Sequence, residues 1–342
     1  MTSRDSERYR RLAAGVLAHH EEVCAPAGVS IGLIRRKNVF FFSHGSLHND
    51  GGRAINQDSV FEIGSVTKTF TALLISLAIS RNIIAPDAFI DNLLPASAQL
   101  NSALRNKIRV TDLASHQAGL PTLADDQYLA SLLRLNARQP FAAVDTRYIQ
   151  QVLSSTDCVT DYGSYHYSNF SYALLGLIVE QCTGLQYESA LAAQLTGPLS
   201  MARTTLASPL AANQAGGFTR QGAVAERLIA NKIAPAGGLC STAADLLKYV
   251  TAQLNPGDTW LGKAIELSHQ AFCVANGFEV GLGWNSISDG ARHYFEKTGD
   301  TFGNSSLVRF DKQNKIGIVV LSNQQNSSLV AEIADELYCA LL

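Results

Sequence analysis

The chain reads as an α/β protein of the α+β kind. One antiparallel sheet comes from its two ends, flanked by terminal helices, and a mostly helical lobe is inserted between them. Three observations predict this. Strand-like runs lie near both ends of the 342 residues, helical patterns fill the middle, and neither β-rich end is long enough to bury a face alone.

Taken in order, residues 5–20 are charged and amphipathic and read as a surface helix. "GVSIGLIRR" (28–36) and "NVFFFSHGSL" (38–47) are β-rich and almost contiguous, which predicts a hairpin. "FEIGSVTKTF" (61–70) opens onto "TALLISLAISRNII", which lacks Pro and Gly and repeats Leu and Ile at helical spacing. A largely buried helix over 65–80 follows. "YALLGLIVEQCTG" (172–184) and "TAADLLKYVTAQL" (242–254) are further helices. "HYFEKTG" (293–299) and "NSSLVRFDKQNKIGIVVLSN" (304–323) are strands broken by a turn at "DKQNK", with a last helix near 328–341. Residues 1–60 with 285–342 would form the sheet layer and 61–284 the helical lobe, in one unit with a site in the cleft between them.

Composition narrows the function. With 46% hydrophobic residues the chain can build a large core, and a formal net charge of −2 without any basic run argues against a nucleic-acid partner. The six cysteines, at 24, 158, 182, 240, 273 and 339, contain no C-x-x-C pair, which argues against a zinc or redox motif and fits a reduced compartment. The N-terminal stretch lacks the apolar core of a signal peptide and nothing later approaches a membrane span. The expected location is cytoplasmic, or periplasmic or secreted if a leader has been removed.

The chemistry-bearing residues are scattered. On a helix, Ser65 and Lys68 share a face one turn apart, at an end where backbone N–H groups lack partners. Taken alone, that serine is as readily an ordinary helix cap. Tyr167 and Asn169 precede an apolar helix in "YHYSNFSYALLG" (165–176), where an aromatic turn with an Asn cap is the plain reading. "KTG" (297–299) puts a lysine beside a small residue and a glycine in a strand, either a plain edge lysine or an edge that a ligand backbone can approach. "VTDLASHQAGLP" (110–121) carries no chemistry by itself. No G-x-S-x-G elbow is present, and "HHEEVC" falls short of H-E-x-x-H because Cys24 replaces the second histidine.

In the order Ser-x-x-Lys, Tyr-x-Asn, Lys-Thr-Gly, the sequence resembles the serine β-lactamase and penicillin-binding-protein superfamily, and its class C branch in particular. That branch includes D-alanyl-D-alanine carboxypeptidases, esterases and acyl transferases. The resemblance runs from "GVSIGLI" through "APAGGLCSTAADLLKYV" (234–250) and "VGLGW" (280–284) to the last helix. It implies that Ser65 forms an acyl-enzyme with a small-molecule or peptide substrate and that Lys68 or Tyr167 accepts its proton. Both would be lowered in pKa, Lys68 by burial and Lys297, Tyr167 by the two lysines. Asn169 would bond Lys68 and a substrate amide, and Lys297 would supply charge. Thr298, Gly299 and Asp300 would line the substrate, with an oxyanion between the N–H groups of Ser65 and Asp300. No metal or organic cofactor is implied.

Four departures bear on substrate. Glu296 stands where the class C enzymes usually carry His, and Asp300 where they carry Ser or Ala, which should favour a cationic over an anionic substrate. Leu123 falls where they hold a Gln. Only twelve residues separate Trp284 from Lys297, too few for their long cleft-walling insertion. A serine hydrolase leads these readings, an acyl transferase is the alternative, and a non-catalytic penicillin-binding sensor comes last.

Overall fold

A computed structural model describes residues 3–20, 27–48, 52–120, 139–157, 159, 161–206, 213–290 and 292–342. Along the chain its helices are α1 (Ser3–His19), α2 (Thr67–Ser80), α3 (Val110–Ala114), α4 (Thr146–Ser155), α5 (Asn169–Thr183), α6 (Tyr187–Leu191), α7 (Ala234–Gly237), α8 (Ala243–Leu254), α9 (Trp260–Ser268) and α10 (Ser327–Leu341). Its strands are β1 (Val29–Arg35), β2 (Asn38–His44), β3 (Phe61–Glu62), β4 (Thr205–Leu206), β5 (Gly217–Phe218), β6 (Val224–Ala225), β7 (Leu239–Ser241), β8 (Cys273–Ala275), β9 (Phe278–Val280), β10 (Asn285–Ser288), β11 (His293–Asp300), β12 (Ser305–Asp311) and β13 (Ile316–Ser322).

The two ends of the chain meet in one antiparallel sheet of eight strands, ordered β2-β1-β13-β12-β11-β10-β9-β8. The junction is β1 against β13, in register from Val29↔Ser322 to Arg35↔Ile316. β12 and β13 are buried along their whole length because both faces are covered. On one face Val29, Ile31, Leu33, Ile316, Ile318 and Val320 pack with α1 and α10. Each such side chain, fully buried, contributes about 1.5–3 kcal/mol. On the other face α8 lies close enough that a Cβ on Gly32 would stand 2.7 Å from Leu247, and one on Gly317 2.6 Å from Val250.

Two boundaries differ from the sequence reading. The sheet begins at Cys273, not near 285, because β8 and β9 pair onto β10. "TAADLLKYVTAQL", expected in the helical lobe, forms α8 on the sheet. Its apolar stripe (Leu246, Leu247, Val250) belongs to the core shared by sheet and lobe. The lobe centres on α2, buried nearly all round and packed against α5, α7 and α9. Its hydroxyls find partners inside the protein: Thr67 Oγ1 accepts from Leu239 N, and Thr71 Oγ1 donates to Pro235 O. Among the described residues no helix is long and apolar enough to cross a membrane.

Candidate active site

The site lies where β11 runs past the start of α2. β10 pairs with β11 only as far as Glu296. Lys297–Asp300 therefore bond β12 on one side and turn their other edge toward the turn Gly64–Val66, a 3-10 turn that leads into α2. The contact is backbone on backbone and needs glycine on both sides. A Cβ on Gly64, whose φ is +47°, would lie 2.6–2.8 Å from the Asp300 main chain. One on Gly299 would lie 2.2 Å from Ile63 O and 2.7 Å from Ser65 N. Ser306 Oγ donates to Ile63 O and fastens the turn to the sheet.

Ser65 sits in this turn, with Lys68 in the first turn of the continuing helix. The Lys68 ammonium is wholly enclosed and has three oxygens around it: Ser65 Oγ at 3.0 Å, Asn169 Oδ1 at 2.7 Å and Ala236 O at 2.7 Å. Its pKa is held well below the usual lysine value, by burial first and then by the charge of Lys297. Burial likewise lowers Lys297 to about 8.

Tyr167 Oη donates to Ser65 Oγ at 2.6 Å, and the Nζ atoms of Lys68 and Lys297 lie 4.8 and 5.1 Å from its ring centroid. The expected lowering of the Tyr167 pKa is not found. Loss of hydration raises it, the hydrogen bond with Ser65 only partly opposes this, and Tyr165 and Asp300 add to the rise. The residue is 37% exposed, so water still reaches part of the ring. The direction nevertheless keeps the phenol neutral. The reading of Asn169 as a helix cap also changes. Ser168 caps α5, its hydroxyl accepting from Ser171 N, which leaves the Asn169 amide free for Lys68.

The remaining positions separate by the alternation of β11. Lys297 and Gly299 face the site, and Glu296 faces the other way. There Glu296 binds Arg309, whose guanidinium also reaches Asp335 and covers the rings of Tyr294 and Tyr338. Glu296 is thus part of a clamp beneath α10, and its expected bearing on substrate is withdrawn. Thr298 pairs with Leu307, on the same side of the strand as Glu296. Asp300, at the mouth, is exposed and accepts a short hydrogen bond from Ser305 Oγ. Leu123 lies outside the described residues. The brief link from Trp284 to Lys297 is β10, a turn containing Gly290 (φ +77°) and β11, so no long segment walls this side.

His116, given no role by its sequence context, belongs to the site's support. Its Nδ1 accepts from Ser168 N at 3.1 Å and its carbonyl accepts from His166 N at 2.7 Å, bracketing Tyr167. The ring lies 4.5 Å from that of Tyr167, and its buried Nε2 has no hydrogen-bond partner among the described residues. Burial, Lys297 and Lys68, in that order, hold it well below the usual imidazole pKa, hence neutral. The one signal in the sequence was a histidine inside a tight turn.

An antiparallel sheet whose strand edge meets a Ser-x-x-Lys helix defines the class: the serine β-lactamase and penicillin-binding-protein superfamily. Residues 17–339 match the Beta-lactamase family, and the chain belongs to it. A Beta-lactamase of Escherichia coli (strain K12) is 27% identical over 337 residues, covering 87% of this chain and 84% of that protein. A Beta-Lactamase/D-Alanine Carboxypeptidase from Pseudomonas syringae superposes with a TM-score of 0.84 at 22% identity, covering 96% and 98% of the two chains. A class C beta lactamase from Rhodobacter sphaeroides gives 0.81 at 22% identity over 96% and 99%.

Proposed function

We propose that this protein is a serine hydrolase that cleaves an amide, ester or β-lactam bond through an acyl-enzyme on Ser65. The observation that carries this reading is the Ser65 hydroxyl held between Tyr167 Oη at 2.6 Å and Lys68 Nζ at 3.0 Å. Burial, and then the charge of Lys297, push Lys68 toward the neutral amine that a general base needs. Neutral Lys68 spends its two N–H bonds on Asn169 Oδ1 and Ala236 O, so its lone pair meets the Ser65 proton.

Ser65 Oγ attacks the carbonyl carbon as Lys68 takes that proton. The oxyanion is received by the N–H groups of Ser65 and Asp300, whose main chains the Gly64–Gly299 contact brings close together. Tyr167, neutral because its pKa is raised, gives its proton to the leaving nitrogen or oxygen and is reprotonated from Lys68. Lys297 stabilises the transient phenolate. In the second half water attacks the ester carbon and gives its proton to Lys68, the C–Oγ bond breaks as Tyr167 protonates Ser65 Oγ, the acid leaves, and Lys68 returns the proton to Tyr167. Intact-mass spectrometry after exposure to a fluorophosphonate or a penicillin tests this. One adduct is expected, absent in Ser65→Ala, and an adduct that persists in that variant refutes the assignment.

Acyl transfer is the second reading, favoured by the short β10–β11 link. An uncovered strand edge leaves room for an amine or alcohol to intercept the acyl-enzyme in place of water.

A further inference from the structure

At the far side of the sheet, where the two ends of the chain meet, two histidines converge on one carboxylate. His19 Nδ1 and His20 Nε2 lie 3.0 and 2.9 Å from Glu336 Oε1, and the donor atoms of all three residues fall within 4.8 Å of one another. Glu332, one turn before Glu336 on α10, brings Oε2 to 3.9 Å from His20 Nδ1. His20 is buried, while His19 is exposed.

A neutral His20 has one N–H for the carboxylates at its two nitrogens, so the cluster calls for one more positive charge. A proton supplies it by making an imidazolium that donates to both, and a divalent cation on Nε2 supplies it equally well. With Nε2 bound to the metal, Nδ1–H points at Glu332, the carboxylate–histidine–metal arrangement that fixes the tautomer of a ligating histidine. The charges also close, since two carboxylates and two neutral imidazoles balance one divalent ion. Tetrahedral zinc with bonds of about 2.0–2.1 Å separates its ligand atoms by about 3.3 Å, a few tenths more than the nitrogen–oxygen distances here. The two imidazole nitrogens, now within 4.8 Å of each other, settle to that spacing by a turn of the exposed His19 ring.

We propose that His19, His20 and Glu336 bind a divalent transition-metal ion of the zinc type, with Glu332 orienting His20, and that the ion pins α1 to α10. The site is remote from Ser65 in the fold and is independent of the proposed hydrolase chemistry.

The test uses the full chain, stripped with a chelator and dialysed at pH 7.5. Zinc titrated against a chromophoric chelator should bind one equivalent at micromolar affinity or tighter and raise the melting midpoint by several degrees, whereas magnesium should do neither. The exposed His19→Gln and the Glu336→Gln variants should each weaken zinc binding at least about tenfold, without changing turnover of an ester reporter. Cobalt should give visible d–d bands without a thiolate charge-transfer band. Failure of the wild-type chain to bind an equivalent overturns the proposal, as does equal affinity in both variants or a cobalt–thiolate band that puts the ion on cysteine.

Discussion

Gly299 and Ser65 touch through their backbones: a Cβ at residue 299 would stand 2.7 Å from the Ser65 nitrogen. The strand edge and the nucleophile's turn are held at that spacing by the absence of a side chain. Gly299→Ala must push β11 off the turn and separate the two N–H groups proposed for the oxyanion. The expected result is a loss of about 10²–10³ in kcat, the usual effect of removing one such donor. Steady-state kinetics on an ester, beside a melting curve showing the variant folded, reads it. Near-wild-type kcat would remove this contact from the mechanism.

The two lysines fix the sign of the pH dependence. Activity rises with pH as Lys68 loses its proton, through a pKa lowered by burial and by Lys297. It falls again as Lys297 discharges near 8. Lys297→Ala removes the neighbouring charge, so the pKa of Lys68 rises and the acidic limb of kcat/KM moves to higher pH. A pH–rate profile in which that limb stays fixed would exclude the coupling.

His116 should act through Tyr167. His116→Leu removes the acceptor of the Ser168 N–H and leaves a buried donor unpaired, a cost of about 1–3 kcal/mol. We expect kcat to fall more than KM changes, as the phenol drifts from Ser65. His116→Asn, whose Oδ1 stands near the former Nδ1, should restore most of the loss. Equal damage in both variants would mean that the ring's packing matters and its nitrogen does not.

Arg309 is expected to matter for stability and little for substrate. Arg309→Met leaves Glu296 without its guanidinium, and breaking a pair this enclosed costs about 3–5 kcal/mol. Denaturant melts should show that loss, while KM values across a panel of β-lactams, p-nitrophenyl esters and D-amino-acid amides keep their ranking. A changed ranking would return Glu296 to the cleft.

Partitioning separates hydrolysis from transfer. If water alone resolves the acyl-enzyme, adding amines or alcohols to an ester assay leaves the free acid as sole product. Diversion of product to an adduct, rising with acceptor concentration, would favour the second reading.

The sequence by itself determined what local periodicity and chain order can carry. The helices α1, α2, α5, α8 and α10 and the strands β1, β2, β11, β12 and β13 are legible because their apolar residues repeat at helical or strand spacing. Ser65 and Lys68 share a helix face for the same reason, and the order of the three motifs marks the family. The orientation of Glu296 was also readable, since a period of two sends it away from the face of Lys297. Other features depend on distance through space. Asn169 is free for Lys68 only because Ser168 takes the cap, and α8 lies on the sheet because Gly32 and Gly317 let it approach. The Tyr167 phenol is raised where neighbouring cations alone would lower it, because the loss of water around it outweighs them. His116 beneath Tyr167, and Glu336 between His19 and His20, join residues far apart in the chain. Desolvation and such contacts are properties of the assembled core, which no stretch of sequence contains.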